Sequence, residues 1–322
     1  MAGMTTGNSS HLIRAEIWST ELKEVLQDEL YGMGHVDFLT EFPDGTQFTI
    51  PSIGDLQVDD YAEDTGVKYR PLDTGEWTFT IDEYLSSGTY ITKKNEQDMF
   101  YMNQLVSSFV PNQQRAIMEH FEQTMFEKPE AIYSANQQGA INGAYHRFSG
   151  GNSGVIELAD FAYANYALDK ANVPFGNRIA IVDPSVGFNL ETLTNLVSVS
   201  DNIRWEGVIA DGLTTGMKFV KNVYGFDVYT SNRLPDVSDN ALPERDGSTT
   251  NDFSSTNGKA GYFFSADATV KPWKGAWRQM PVVDTEWNKD FQRTEYVSTA
   301  RYGVKLYRPE NMVTIVTDPT IS

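Results

Sequence analysis

No cysteine occurs anywhere in the 322 residues, which removes disulfide frameworks, thiolate zinc sites and cysteine nucleophiles at once. The absence fits folding in a reducing cytoplasm. Histidine is nearly as scarce. His11, His35, His120 and His146 are far apart and fall into neither H-x-H nor H-E-x-x-H spacing, so no metal site is expected. Long apolar runs are missing too, and nothing approaches the roughly 20 residues that cross a bilayer. The first residues, M-A-G-M-T-T-G-N-S-S-H, lack the basic start and apolar stretch of a signal peptide. Positive charge is short: 25 Lys and Arg stand against 44 Asp and Glu, a formal charge of −19. Such a surface repels free nucleic acid, whose affinity comes mainly from phosphate neutralisation, and favours solubility.

The usual signatures of catalysis are also absent. Gly139-Ala140-Ile141-Asn142-Gly143 has neither G-x-G-x-x-G spacing nor a Walker lysine, and Gly150 to Gly154 shows no preceding strand pattern. Ser153 is outside a G-x-S-x-G elbow because position 155 is Val. The acids from Asp55 to Asp64 lack the D-x-D-x-D-G pattern of a calcium loop and read as a solvated arm. With 44 acids, some carboxylate pair always sits at glycosidase distance in principle, so that signal carries no weight. The sequence offers no catalytic, cofactor-binding or metal-binding residue.

What is present is ample core material: 40% hydrophobic and 12% aromatic residues argue against global disorder. Residues 12–30 carry Trp18, Leu22, Val25, Leu26 and Leu30 at helical spacing, an amphipathic helix whose apolar face packs either in its own core or on a neighbour. Thr46 to Pro51 and the alternating Trp77 to Asp82 flank an acidic, polar tip and suggest a projecting hairpin. Leu105 and Phe109 precede Pro111, then Ile117, Phe121 and Met125 recur every four residues. The pattern predicts a long helix with Pro111 in its first turn, kinked or ended at Pro129. Gly139 to Gly154 reads as a loop. A second helix is expected from Ser153, with Val155, Ala159, Ala162, Tyr163 and Tyr166 on one stripe. R-I-A-I-V-D at 178–183 is a buried-strand pattern stopped by Pro184, and a helix follows across Leu190, Leu193, Leu196 and Val197. Phe219 to Tyr229 reads as a strand pair or bulged strand, Pro235 to Lys259 as a polar surface loop, and Tyr262 to Phe264 as strand. The ending reads as two strands, around Val304/Leu306 and Met312 to Val316, paired through the turn Arg308-Pro309-Glu310-Asn311.

This order of elements resembles the Hong Kong 97-type major capsid proteins of tailed bacteriophages, from Ile17 to Val316. Its landmarks are E-I-W-S-T-E-L at 16–22, R-I-A-I-V-D-P at 178–184 and R-Y-G-V-K-L-Y-R-P-E-N-M-V at 301–313. The resemblance implies an α+β fold with an N-terminal arm (1–45), an extended β-hairpin loop (46–92) and a peripheral domain (93–178) holding a spine helix near 111–136. A mixed α/β axial domain (179–283) and a return to the peripheral domain (284–322) complete it. The implied function is a non-enzymatic major capsid protein that self-assembles, as hexamers and pentamers, into an icosahedral shell around double-stranded DNA. Assembly in the host bacterial cytoplasm places it in the virion.

The family's founding member carries its own scaffolding domain before the arm. Residues 1–45 are too few for that, which implies a separate scaffolding protein, as in short-tailed phages, beside a portal and, in some relatives, a decoration or cement protein. No membrane is implied. Some relatives weld subunits through a Lys–Asn isopeptide bond, but no motif marks Lys68, Lys93 or Lys94 as a cross-linker. The strips Trp18/Leu22/Leu26 and Trp77/Phe79/Ile81 are expected between subunits, where many weak contacts add through multivalency. Other readings are an encapsulin-like compartment and, from different classes, a soluble carboxylate-dependent hydrolase or a β-rich binding module.

Overall fold

The computed structural model describes residues 30, 32–40, 47–54, 58–60, 63, 66–67, 69–71, 74–98, 102–192 and 219–320. The amphipathic stretch at 12–29, the landmark at 16–22, Asp55, Asp64, Lys68, and Leu193 to Val197 lie outside them.

A single 3-10 turn, Gly32–His35, leads into β1 (Val36–Phe38). Next, β2 (Gln47–Ile53) and β3 (Thr74–Thr80) pair antiparallel as the expected hairpin, with Phe48 opposite Phe79 and Ile50 opposite Trp77. β4 (Glu83–Thr92), α1 (Lys93–Asp98) and the 29-residue α2 (Met102–Glu130) follow.

Helix α2 corrects two boundaries. It starts well before Pro111, which therefore lies inside it, and it stops at Glu130, short of 136. Packing outweighs the proline's missing hydrogen bond. Phe109 meets Tyr296 edge-on at 5.1 Å, while Phe121 stacks on Trp277 at 4.9 Å and meets Tyr302 at the same distance. At the other end Pro129 precedes the last helical residue, so it ends the helix rather than bending it.

The segment expected as a loop, 139–154, is ordered in small pieces. β5 (Ala140–Ile141) and β6 (Ala144–Tyr145) form a tiny hairpin around Asn142 and Gly143, both at positive φ. β7 (Arg147–Ser149) is wholly buried and supplies a strand ahead of Gly150. Strands of two or three residues are too short to show a period, which is why the glycines dominated the pattern. α3 (Gly151–Gly154) is one turn, and Ser153 sits at positive φ instead of capping a helix. The second helix, α4 (Leu158–Lys170), starts at Glu157, which forms a reciprocal capping box with Asp160. Its buried stripe is Phe161, Ala164, Ala167 and Leu168, rotated from the expected one. Tyr163 hydrogen-bonds to the Tyr145 backbone and Tyr166 is exposed.

β8 (Arg178–Val182) is buried at every residue, as its sequence predicts, and Pro184 opens α5 (Pro184–Thr192). β9 (Phe219–Val223) and β10 (Phe226–Thr230) form a hairpin whose Tyr224-Gly225 turn uses positive φ; it carries a register shift at Val228/Tyr229. The stretch 235–259 is no free surface loop. β11 (Asp236–Val237), β12 (Leu242–Pro243) and β13 (Thr250–Asn251) pin it down, and Val237, Leu242 and Phe253 are buried. Arg147, itself buried, clamps it by bridging Glu130 (2.9 Å) and Asp239 (2.8 Å). Burial still pushes the Glu130 carboxyl upward against the pull of Arg147. Arg245 makes a second clamp to Asp160 and Glu157 at the start of α4.

β14 (Gly258–Ser265), β15 (Trp273–Asn288), β16 (Arg293–Leu306) and β17 (Val313–Thr317) close the chain. The ending is not a hairpin of β16 and β17. β16 pairs with β15 and β4, whereas β17 lies between β14 and β7. The 3-10 turn Pro309–Asn311 carries the chain from one sheet to the other.

Among the described residues the architecture rests on two sheets. One has seven strands, ordered β7-β17-β14-β8-β10-β9 with β11 beside β14; the other has four, ordered β1-β15-β16-β4. The first packs against α4 and α5, with Phe263 edge-on to Phe161 (5.2 Å) and Phe226 (5.3 Å). The second carries α2 on one face.

Candidate assembly surface

Alternation along β4 and β16 divides the four-stranded sheet into two unlike faces. Toward α2 point Ile91, Tyr296, Ala300 and Tyr302, the last hydrogen-bonded to His120 Nδ1 at 3.0 Å. The opposite face carries Tyr84 and Tyr90, in register with Arg301 and Glu295, and Val282, in register with Thr299. Tyr84 is 67% exposed, Tyr90 57% and Val282 49%. At the β15–β16 turn, Arg293 stacks between Tyr90 (4.4 Å) and Phe291 (4.7 Å) and is held by Glu295 at 2.6 Å. Trp287 and Phe291 are exposed beside it. A guanidinium between two rings, fixed by a carboxylate, is a rigid aromatic platform of the kind that anchors protein interfaces. The Tyr84-x-Ser86-x-Gly88-x-Tyr90 period is the signal in the sequence that marks this face.

The projecting hairpin meets the same sheet at its root. Gly303 leaves no room for a side chain, because an added Cβ would lie 2.5 Å from the Thr80 carbonyl oxygen. Lys305 Nζ donates to the Thr78 carbonyl at 2.8 Å. Phe79 and Ile81 are buried against Ala276 within the subunit, and Trp77 stacks on Phe79 at 5.8 Å. The strip Trp77/Phe79/Ile81 is therefore internal and not the expected contact between subunits. Beyond the paired strands, Val58, Val67 and Tyr69 are almost wholly or largely exposed.

Residues 32–38 are held between α2 and β15. Gly32 N–H donates to Glu122 Oε1 at 2.6 Å, Lys274 pairs with Asp37 at 2.6 Å, and β1 runs parallel to β15. His35 packs edge-on to Phe264 at 5.3 Å. Burial and the nearby Lys271 ammonium lower its pKa to about 4, so it is neutral at physiological pH.

No chemistry gathers around these features. His120 serves Tyr302 and Thr124, and buried His146 shares Nδ1 with the Ala144 carbonyl; His11 lies outside the described residues. Among the described residues, no group of three His, Asp or Glu side chains is placed to hold a metal ion. Lys93 is paired with Glu96 at 3.0 Å. No described helix is long and apolar enough to cross a membrane.

Two sheets, a long helix and a hairpin make up the described fold, and comparison with known proteins gives its family. Residues 76–315 match the family described as "Phage capsid protein". The fold recurs in a structure from Mycobacterium phage Che8 (TM-score 0.67, 17% identity, covering 94% of this chain and 96% of that one). It recurs in the capsid of cyanophage P-SCSP1u (TM-score 0.69, 16% identity, 97% and 95%). It is found again in the cyanophage Pam1 capsid asymmetric unit (TM-score 0.66, 13% identity, 99% of each chain). Comparison with curated protein sequences gives no match. The chain belongs to the phage capsid protein family, with the Hong Kong 97-type fold and a structural, shell-forming role.

Proposed function

We propose that the chain is the major capsid protein of a tailed phage, forming hexamers and pentamers of an icosahedral head around double-stranded DNA. The observation that carries this reading is the one-sided sheet. Its inner face is sealed by α2, while its outer face keeps Tyr84, Tyr90 and Val282 exposed in a chain whose family builds shells. The charge of −19 suits a container wall, because a basic wall would bind DNA and impede packing.

In this reading 1–45 is the arm, 46–92 the extended loop, and α2 the spine helix of the peripheral domain; the seven-stranded sheet is the core of the axial domain, which therefore also draws β7 and β17 from outside the expected 179–283. A separate scaffolding protein and a portal act in assembly, which takes place in the host cytoplasm, and the subunit catalyses nothing. The test is electron microscopy of the purified chain expressed with and without its scaffold. Closed shells of uniform size support the reading. Monomers at all concentrations in both preparations contradict it.

A further inference from the structure

Strand β4 forms one edge of the four-stranded sheet. Among the described residues it pairs with β16 alone, over ten consecutive residue pairs without a register shift. In an antiparallel strand every second residue turns both backbone groups away from its partner, so this edge presents a row of open donors and acceptors. The devices that usually blunt such an edge are missing: from Tyr84 to Thr92 there is no charged residue, no proline and no bulge. A groove of about 520 Å³ follows the strand, lined by Thr89 and Ile91 from the α2 side and by Gly88 and Tyr90 from the other. Residues of both faces touch it, so it opens at the edge itself.

The sequence of the edge says which strand fits it. Tyr84-Leu85-Ser86-Ser87-Gly88-Thr89-Tyr90 reads nearly alike in both directions, aromatic at each end and small and polar in the middle. An antiparallel copy centred on Ser87 sets Tyr84 against Tyr90 twice, Leu85 against Thr89, Ser86 against Gly88, and Ser87 against itself. Tyr84 and Tyr90 are the large exposed side chains of β4, and this register covers both. No charge meets a like charge along it, although each copy carries −19 in total. Space permits the pairing. A two-fold axis perpendicular to the sheet keeps α2 of both copies on one face, and α2 lies over β16 through Phe109 to Tyr296 and Phe121 to Tyr302. Three strand spacings of about 4.8 Å then hold the two helices roughly 14 Å apart, beyond the roughly 10–12 Å diameter of a helix.

We propose that β4 pairs antiparallel with β4 of a second copy of the chain, across a two-fold axis at Ser87, and so joins two four-stranded sheets into one continuous sheet. The proposal rests on the shell reading and names one contact that the reading leaves open.

Because the chain has no cysteine, a single introduced thiol reports the pairing. Directly opposed residues of an antiparallel pair lie about 4.5–5.5 Å apart at Cα, within disulfide reach, whereas the two copies of residue 86 would be about 8 Å apart and out of reach. Particles of Ser87→Cys, assembled reduced and then oxidised, should give at least about tenfold more disulfide-linked dimer on a non-reducing gel than particles of Ser86→Cys. Equal dimer in the two variants, or none in Ser87→Cys, overturns the proposal. As a second readout, Ser87→Lys opposes like charges at the axis and should raise the concentration for half-assembly about tenfold. Mixing it with an equal amount of Ser87→Asp should bring that concentration back to within about twofold of the unmodified chain. No penalty in Ser87→Lys alone, or none relieved by mixing, overturns the two-fold register. Closed particles without the Ser87→Cys dimer sink the pairing and leave the shell reading intact; the dimer in oligomers that never close does the reverse.

Discussion

The two sheets of this subunit differ in what completes them. In the seven-stranded sheet, β8 and β17 are buried at every described position, and Phe161, Phe226 and Phe263 meet edge-on within the chain. The four-stranded sheet is half finished. α2 seals one face, and the other presents Tyr84, Tyr90 and Val282 to solvent beside an Arg293 platform. A sheet buried on both faces is folding machinery, whereas one covered on a single face and aromatic on the other is waiting for another surface. On the proposed reading the first holds the subunit together and the second meets its neighbours.

If that contrast is right, mutations in the two sheets should separate stability from assembly. The largest effect is expected from Phe263→Ala, which opens a cavity between Phe161 and Phe226. It should cost about 3–5 kcal/mol in denaturant unfolding of the unassembled subunit. An unchanged midpoint would break the assignment of that sheet as the self-sufficient core.

Acid should act on the junction between the sheets through His35. Its folded pKa of about 4 lies below the ordinary 6.5, so the unfolded chain binds the proton more readily. The contribution is complete above about pH 6.5 and is lost as pH falls toward 4, up to about 3 kcal/mol. His35→Phe should flatten that part of the stability–pH curve. An identical slope in the variant would remove His35 from the account.

Gly303→Ala forces a methyl onto the Thr80 carbonyl and should cost roughly 1–3 kcal/mol, with loss of proteolytic protection at the hairpin root. The smallest effect on the subunit is expected from Tyr84→Ser with Val282→Ser. Unfolding should shift by no more than about 0.5 kcal/mol per site, while assembly yield falls sharply. A destabilised subunit that still assembles would invert the comparison.

The sequence revealed most where one residue type dominates a run. R-I-A-I-V could only be a buried strand, and the fourfold spacing of Ile117, Phe121 and Met125 fixed the buried side of α2. It was silent on partners. β16 and β17 were both readable as strands, but nothing local says that they join different sheets, because strand pairing is a long-range property. The same limit made Phe79 and Ile81 look like an interface, since alternation marks a buried face without saying whether a neighbour or the subunit itself buries it. In 235–259 the polar residues concealed Leu242 and Phe253, in a segment held down by ion pairs to partners distant in sequence, Asp239 to Arg147 and Arg245 to Asp160 and Glu157. Of the assembly surface, the Tyr84–Tyr90 alternation was legible, while the Arg293 stack depends on a turn bringing Phe291 back over the sheet.

The most direct test is hydrogen–deuterium exchange compared between unassembled subunits and closed particles. The account predicts new protection in β4, β15 and the β15–β16 turn on assembly, with β8, β14 and β17 already protected and unchanged. Protection gained in the seven-stranded sheet, with the outer face of the four-stranded sheet exchanging as before, would contradict it.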